Sequence, residues 1–366
     1  MSATKQVKFL IISDTHEYDF TSVTSPSKHG FRGDAIPQCD VVLHCGDLTH
    51  DGKLFSHGIV MKQLATIDAE LKLVIAGNHD VSLDRDEWVR LGGAPVMHDA
   101  AVGVWTGDVA KAAGIEYLEE GTHTFTLKSG ATFTVYASPW TPKFGESAFQ
   151  YKSNEDRFNL VSPPGFPNVS TSSSRVPRDT KVDIMMTHGP PKYILDSTEE
   201  GPRGVNAGCE HLLRAVCRAR PRLHCFGHVH TGWGAEKVTW DTSVQMKAGK
   251  EDACWQTSDK ARVFALQNSI RNKGHAPVDT KGMVQGEQTL FVNAAIEAEE
   301  WTNAPWFVTM ELPVKKQMVS SMEQGVVEVM EIDSLAGTCA SLKRQAVGEK
   351  SGEDSTSVAK KVKCCP

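Results

Sequence analysis

Eight short apolar, largely β-branched runs punctuate the chain: VKFLIIS (7–13), CDVVLHC (39–45), LKLVIAG (71–77), TFTVYAS (132–138), VDIMMT (182–187), LHCFG (223–227), LFVNAA (290–295) and WFVTMEL (306–312). Turn signals follow them, and such runs predict strands buried on both faces or nearly so. Helical patterns lie between several of them. Ile59, Val60, Gln63, Leu64, Ile67 and Leu71 fit a helix with a mostly apolar inner face. Leu212, Leu213, Val216 and Cys217 form a second stripe that stops before Pro221. Alternating strands and helices predict an α/β domain.

With 366 residues, 40% of them hydrophobic, the chain can bury a large core, and one α/β domain with additions fits this length as well as two domains do. We expect a single domain over 1–333 with loop insertions at 162–179, rich in Pro and Ser, and in the polar region 241–286. From Ser334 onward apolar residues thin out, which predicts a disordered tail over 334–366. Cys364 and Cys365 in that tail do not make a C-a-a-X lipidation signal.

A net charge of −6 argues against holding nucleic acid or anionic membrane through bulk electrostatics. No apolar run reaches the length of a membrane span, and MSATKQVKFL leads straight into a strand-like run without the segments of a secretory signal. Nine cysteines, an odd count without framework spacing, include Cys45, Cys217 and Cys225 inside apolar runs, where reduced thiols behave as small hydrophobes. These features predict a cytoplasmic protein with no membrane span.

Five of the runs finish in side chains that bind metal or phosphate. FLIISDTH ends with Asp14 and His16, VVLHCGD with Asp47, LVIAGNHD with Asn78 and His79, DIMMTHGPP with His188, and LHCFGHVH with His228 and His230. In open α/β sheets the ligand crevice lies beyond the carboxyl ends of the strands, so these groups are expected to converge on one rim. Each piece alone is weak: Asp-x-His puts two ligands on one side of an extended chain but recurs by chance, and a lone Gly-Asp is commonly a turn. The coincidence on five runs is what carries the reading. Gly46, Gly77, Gly189 and Gly227 each adjoin a candidate ligand, where a missing side chain lets backbone approach a bound ion or phosphate.

Nitrogen and oxygen donors without thiolate suit divalent ions, Mn²⁺ first and Fe²⁺, Zn²⁺, Co²⁺, Ni²⁺ or Mg²⁺ as alternatives. With neutral histidines, Asp14 and Asp47 set two negative charges against the four positive charges of two such ions. A residual positive charge suits a phosphate ester. Two ions about 3.5–4 Å apart activate water and clamp the oxygens of an in-line displacement.

DTH, GD, GNHD, TH and GHVH, in this order from Asp14 to His230, resemble the blocks of the calcineurin-like metallophosphoesterase superfamily. The resemblance implies a four-layer αββα sandwich of two mixed sheets flanked by helices, with a dimetal site at one rim. It implies that Asp14, His16 and His230 bind one ion, that Asn78, His188 and His228 bind the other, and that Asp47 bridges them. His79 matches the histidine that contacts phosphate and stabilises charge or protonates the leaving oxygen, and Asn78 is expected to touch substrate as well. ASPWTPKFGESAFQY (137–151), THGPP (187–191), GVNAGCEHLL (204–213) and FVNAA with NAPWFVTMELP resemble the metallophosphoesterase domain-containing subgroup, related to cyclic-nucleotide phosphodiesterases. That likeness implies hydrolysis of a phosphodiester, of nucleotide type, by a metal-bridging hydroxide.

One departure stands out. Where the protein phosphatase branch has a carboxylate and an arginine, GDLTHDG has His50 and Asp51, so Asp51 or Asp80 is the expected orienter of His79. Arg157 and Lys143 could supply a phosphate contact, but each reads first as a solvated surface charge. Trp140, Phe144, Phe149 and Trp233 fall in or near loops expected to flank the site, and Trp233, directly after GHVH, is the aromatic we expect a base to stack on. The competing readings are a non-catalytic nucleotide- or partner-binding member of the fold, a phosphomonoesterase, and a nuclease. The expected partner is a small-molecule phosphate ester.

Overall fold

Side chains of the first strand, β1 (Thr4–Ile12), alternate between two apolar environments. Phe9 and Ile11 enter one buried cluster, Leu10 and Ile12 another. Period-two alternation with both faces apolar means that the strand lies between two layers. The computed structural model describes residues 3–21, 36–159, 168–169, 175–177, 180–199, 204–240, 259–263, 274–297 and 302–315.

Twelve more strands complete two sheets: β2 (Val41–His44), β3 (Leu71–Val74), β4 (Ile115–Tyr117), β5 (Gly121–Thr126), β6 (Thr132–Ser138), β7 (Ile184–Thr187), β8 (Leu223–Phe226), β9 (Gly234–Thr239), β10 (Asp259–Val263), β11 (Ala276–Asp279), β12 (Gln288–Asn293) and β13 (Trp306–Pro313). One sheet has the order β11-β13-β1-β2-β3-β4, the other β10-β9-β12-β8-β7-β6-β5. Both are mixed. In the first, β1 runs parallel to β2 and antiparallel to β13; in the second, β6, β7, β8 and β12 are parallel and β5 and β9 antiparallel to their neighbours.

Three buried clusters mark three interfaces between four layers. The inner faces of both sheets meet in one, where Phe9 packs edge-on to Phe133 at 5.7 Å between ring centroids. Leu10, Val42 and Val74 on the outer face of the first sheet pack with Val60 and Leu64 of α1 (Leu54–Ala65) and with Trp105. That tryptophan belongs to α3 (Pro95–Thr106), which lies between the short helices α2 (Arg85–Arg90) and α4 (Asp108–Ala112). Met185, Phe226 and Phe291 on the outer face of the second sheet pack against Leu212, Leu213 and Val216 of α5 (Glu210–Ala219). Burial of each large apolar side chain stabilises such layers by about 1.5–3 kcal/mol. The result is an αββα sandwich.

All eight expected strands are present, and both expected helices. Leu71, also assigned to the first helical stripe, belongs to β3 instead, because α1 ends at Ala65. The second helix ends where Arg220 turns left-handed (φ 46°) before Pro221, as a residue preceding proline leaves the α region. Strands β10 and β11 occupy parts of the 241–286 region read as a loop. By contacts the chain divides into Met1–Gln317 and Met318–Pro366, and the described residues all fall in the first unit. Most of 162–179, the rest of 241–273 and the whole of 334–366 lie outside the described residues.

Register brings the strand ends together. Ile12 pairs with His44 and His44 with Val74, so β1, β2 and β3 finish side by side; Met186 pairs with Cys225 and Phe226 with Asn293, aligning β7, β8 and β12. The two rims are joined directly. Ser13 N–H donates to the Ala294 carbonyl at 2.9 Å, and Ile296 N–H to the Ser13 carbonyl at 2.8 Å.

Candidate metal centre

Asp14, His16, Asp47 and His228 all have positive φ, at 52°, 42°, 51° and 67°. Holding a non-glycine residue there costs about 1–3 kcal/mol, so surrounding structure must impose it. Hydrogen bonds do so: Asp14 N–H donates to Gly46 O at 2.9 Å, His16 N–H to Asp47 O at 3.2 Å, and His228 N–H to both Asp14 carboxylate oxygens at 3.0 Å. Two glycines make room. A Cβ on Gly77 would overlap the Asp47 backbone and carboxylate, and one on Gly227 would overlap the Asp14 carboxylate.

Two groups of donors result. The ligand atoms of Asp14, His16 and His230 lie within 4.8 Å of one another, as do those of Asp47, His188 and His228. His230 Nε2 is 3.3 Å from Asp14 Oδ1. Asp47 Oδ2 reaches both groups, 3.3 Å from His188 Nε2 and 3.7 Å from His16 Nε2. Asn78 Oδ1 sits 2.9 Å from the same His188 Nε2.

The donor chemistry fits divalent ions. His188 Nδ1 lies 2.9 Å from the Cys45 carbonyl, which only accepts, so the proton of the neutral ring is on Nδ1 and Nε2 presents a lone pair. That lone pair converges with oxygens of Asp47 and Asn78, an arrangement satisfied by a cation. Without an ion a proton takes that place: burial lowers the His188 pKa, but the Asp47 carboxylate overrides it and raises the value to about 9. Burial also raises Asp47, which the His188 charge and hydrogen bond pull down to about 2. Asp14 opposes burial in the same way, held well below the usual carboxylate range by His230, His188 and His16. His228, buried and beside His188, falls to about 4 and stays neutral as a ligand must.

Behind this floor, buried Asp80 joins the loops. Its carboxylate accepts from Leu48 N–H at 3.1 Å, Thr49 N–H at 2.9 Å, Thr49 Oγ1–H at 2.8 Å and Gly77 N–H at 2.9 Å. Burial and the Asp47 charge push its pKa up to about 7, against the pull of those donors. It does not orient His79, and neither does Asp51, which pairs at the surface with Lys53. The orienter is the His50 backbone carbonyl, 2.8 Å from His79 Nδ1. A carboxylate was expected because side chains are what motif reading sees.

A cleft of about 1620 Å³ opens over the centre, with Asp47, Asn78, His79, His228, His230, Lys143, Phe144 and Trp233 in its lining. Trp233 packs on Trp306 at 5.0 Å, and its indole N–H donates to the Ala304 carbonyl at 3.0 Å. Phe144 is 84% exposed. Trp140 and Phe149 instead pack together at 5.7 Å. Arg157, considered as a phosphate contact, is bound to both Glu120 carboxylate oxygens and lies over the Trp140 ring. Sequence reading missed Asp80's role, the His50 carbonyl and Glu297, whose Oε2 lies 3.2 Å from His16 Nε2. Glu297 follows the end of β12 by four residues, and asking what the seventh run leads into would have found it.

The family profile described as Calcineurin-like phosphoesterase matches residues 7–232, and the chain belongs to that family. It is 33% identical over 240 residues to a protein of Emericella nidulans named Probable rhamnogalacturonate lyase C, covering 64% of this chain and 18% of that one. It is 30% identical over 236 residues to Metallophosphoesterase domain-containing protein 1 of Homo sapiens, covering 62% of this chain and 61% of that protein. The chain thus spans less than two thirds of either relative's length. Among solved structures, purple acid phosphatase PPD1 from yellow lupin seeds is 13% identical with a TM-score of 0.35, over 84% of this chain and 50% of that one.

Proposed function

We propose that this chain hydrolyses a phosphodiester at a dinuclear divalent centre, with Mn²⁺ the first choice of ion. The observation that carries this is the Asp47 carboxylate, within 3.3 Å of His188 and 3.7 Å of His16, histidines of the two separate donor groups. Asp14, His16 and His230 would hold one ion and Asn78, His188 and His228 the other. When bound, two such ions lower the pKa of water and offset charge developing on the phosphoryl oxygens.

The remaining work falls to the chain's own groups. Asp47 keeps the two donor groups paired, and the backbone N–H of His228 holds the Asp14 carboxylate in line. Asn78, His79 and Trp233 line the cleft where the ester would sit. His79 has committed its Nδ1–H to His50, so the other ring nitrogen donates only in the protonated ring. In that form it gives a proton to the departing oxygen as general acid.

The preference for a diester over a monoester rests on the resemblance of residues 137–151, 187–191 and 204–213 to the metallophosphoesterase domain-containing subgroup. A reducing, cytoplasmic setting is supported by five buried free cysteines, Cys39, Cys45, Cys209, Cys217 and Cys225. Among the described residues no helix is long and apolar enough to cross a membrane. Purified protein with Mn²⁺ should cleave a chromogenic phosphodiester, and Asp47→Ala should not. Turnover no higher than that variant's, with every divalent metal tried, would dismiss the proposal; cleavage of monoesters alone would overturn the substrate class.

A further inference from the structure

Glu297 lies just past β12, on the segment that ties the second sheet to the end of β1. Its own N–H donates to the Asp14 carbonyl at 3.1 Å. Its Oε2 stands 3.2 Å from His16 Nε2. The other nitrogen of that ring, Nδ1, is 3.2 Å from the Thr49 carbonyl, an acceptor only, so the neutral ring carries its proton there. His16 Nε2 therefore turns a lone pair toward two carboxylates, Glu297 and, at 3.7 Å, Asp47. Three acceptors facing one another repel, and a cation among them satisfies all three at once.

A second set of donor atoms, from His16, His50 and Glu297, also lies within 4.8 Å of one another. It shares His16 with the Asp14, His16 and His230 group, and because Nδ1 of that ring is committed to the Thr49 carbonyl, Nε2 is the nitrogen left for an ion in both. One nitrogen has one lone pair and binds one ion, so the two sets describe a single coordination environment rather than two sites. His50 stacks on His16 with 5.0 Å between ring centroids and 18° between planes, which steadies the shared ring.

We infer that Glu297 is a further carboxylate ligand of the ion held by Asp14, His16 and His230. This rests on the dinuclear reading above. It also changes the charge of the centre. Two divalent ions with Asp14 and Asp47 leave a net charge of about +2, or about +1 with a hydroxide bound, and Glu297 lowers either value by one. A less positive centre disfavours a doubly charged monoester relative to a singly charged diester.

Calorimetric titration of full-length protein with Mn²⁺ tests the ligand assignment. Wild type should show two sites, and Glu297→Gln should weaken one of them roughly 10–100-fold, by the scale of losses at metal-supporting groups, while sparing the other. Glu297→Asp, with its carboxylate drawn back by one methylene, should fall between. Metal-free melting curves of the variants identify any that fail to fold, and the aspartate variant then stands in for the glutamine. Unchanged Mn²⁺ affinities in both variants, with Asp47→Ala impaired, would overturn this inference alone. Unchanged affinities in Asp47→Ala as well would overturn the dinuclear reading beneath it. The charge consequence has its own readout: the ratio of turnover on p-nitrophenyl phosphate to that on bis-p-nitrophenyl phosphate should rise severalfold in Glu297→Gln, and an unchanged ratio would refute it.

Discussion

His79 gives its Nδ1–H to the backbone carbonyl of His50 over 2.8 Å, so the orientation of the proposed general acid is set by main chain rather than by a carboxylate. A backbone carbonyl holds the ring without adding a full negative charge next to the phosphate. The bond does not depend on the His50 side chain.

The first prediction follows from that bond. His79→Asn should leave Mn²⁺ binding intact and lower turnover by roughly 10²–10⁴-fold for an ester with an alkoxide leaving group. The loss should be much smaller for a p-nitrophenolate leaving group, which needs little protonation. Steady-state kinetics on the two esters decide it, and an equal loss on both would remove His79 as the acid.

Asp80 should be a stability residue rather than a chemical one. Asp80→Asn turns an amide N–H₂ toward a pocket of donors and removes one of the two oxygens that accept from four of them. A loss of roughly 3 kcal/mol is expected, at the scale of hydrogen bonds to charged groups. Urea unfolding of the metal-free protein measures it; a midpoint equal to wild type would contradict the clamp.

Gly77→Ala should damage the centre without touching any donor side chain. The added methyl group would overlap Asp47 and lie 2.7 Å from His188 Cε1. Thermal shift on adding Mn²⁺ reports it directly. Wild type should gain stability, about 2.7 kcal/mol for one site at a hundredfold excess over Kd, and the variant should gain little. An equal gain in both would show that the close approach does not matter.

Acid should weaken the fold in part through His57. This buried ring accepts the Trp105 indole N–H on Nδ1 at 3.2 Å and pairs through Nε2 with Ser82 Oγ at 3.0 Å, so it must stay neutral. Burial lowers its pKa from 6.5 to about 4. The unfolded chain therefore binds a proton that the folded one refuses, and stability present above pH 6.5 declines as pH falls toward about 4, by up to about 3 kcal/mol. In EDTA, the drop in urea midpoint between pH 7.5 and 5 should be smaller for His57→Gln than for wild type. Identical drops would exclude this residue.

Most of the donor set was legible before any fold was known. Asp14, Asp47, Asn78, His188, His228 and His230 each sit just beyond an apolar run, and a polar ligand directly after a buried strand is a local pattern. Asp80 was legible only as a residue, not as a clamp, because its four donors come from Leu48, Thr49 and Gly77 on two separate loops. Arg157 illustrates the opposite error. It reads as a free cation, yet folding seats it on Glu120 and Trp140.

By itself the sequence determined eight of the strands, the apolar face of two of the helices, and which side chains leave the strand ends. Those properties follow from periodicity and residue type over a few neighbours. Only the tertiary structure decided that β1 lies beside β2 and β13, that Ser13 bonds across to the segment after β12, and that Glu297 thereby arrives next to His16. Such contacts join residues tens to hundreds of positions apart, and they are selected by the shared burial of whole faces, which no short window of sequence contains.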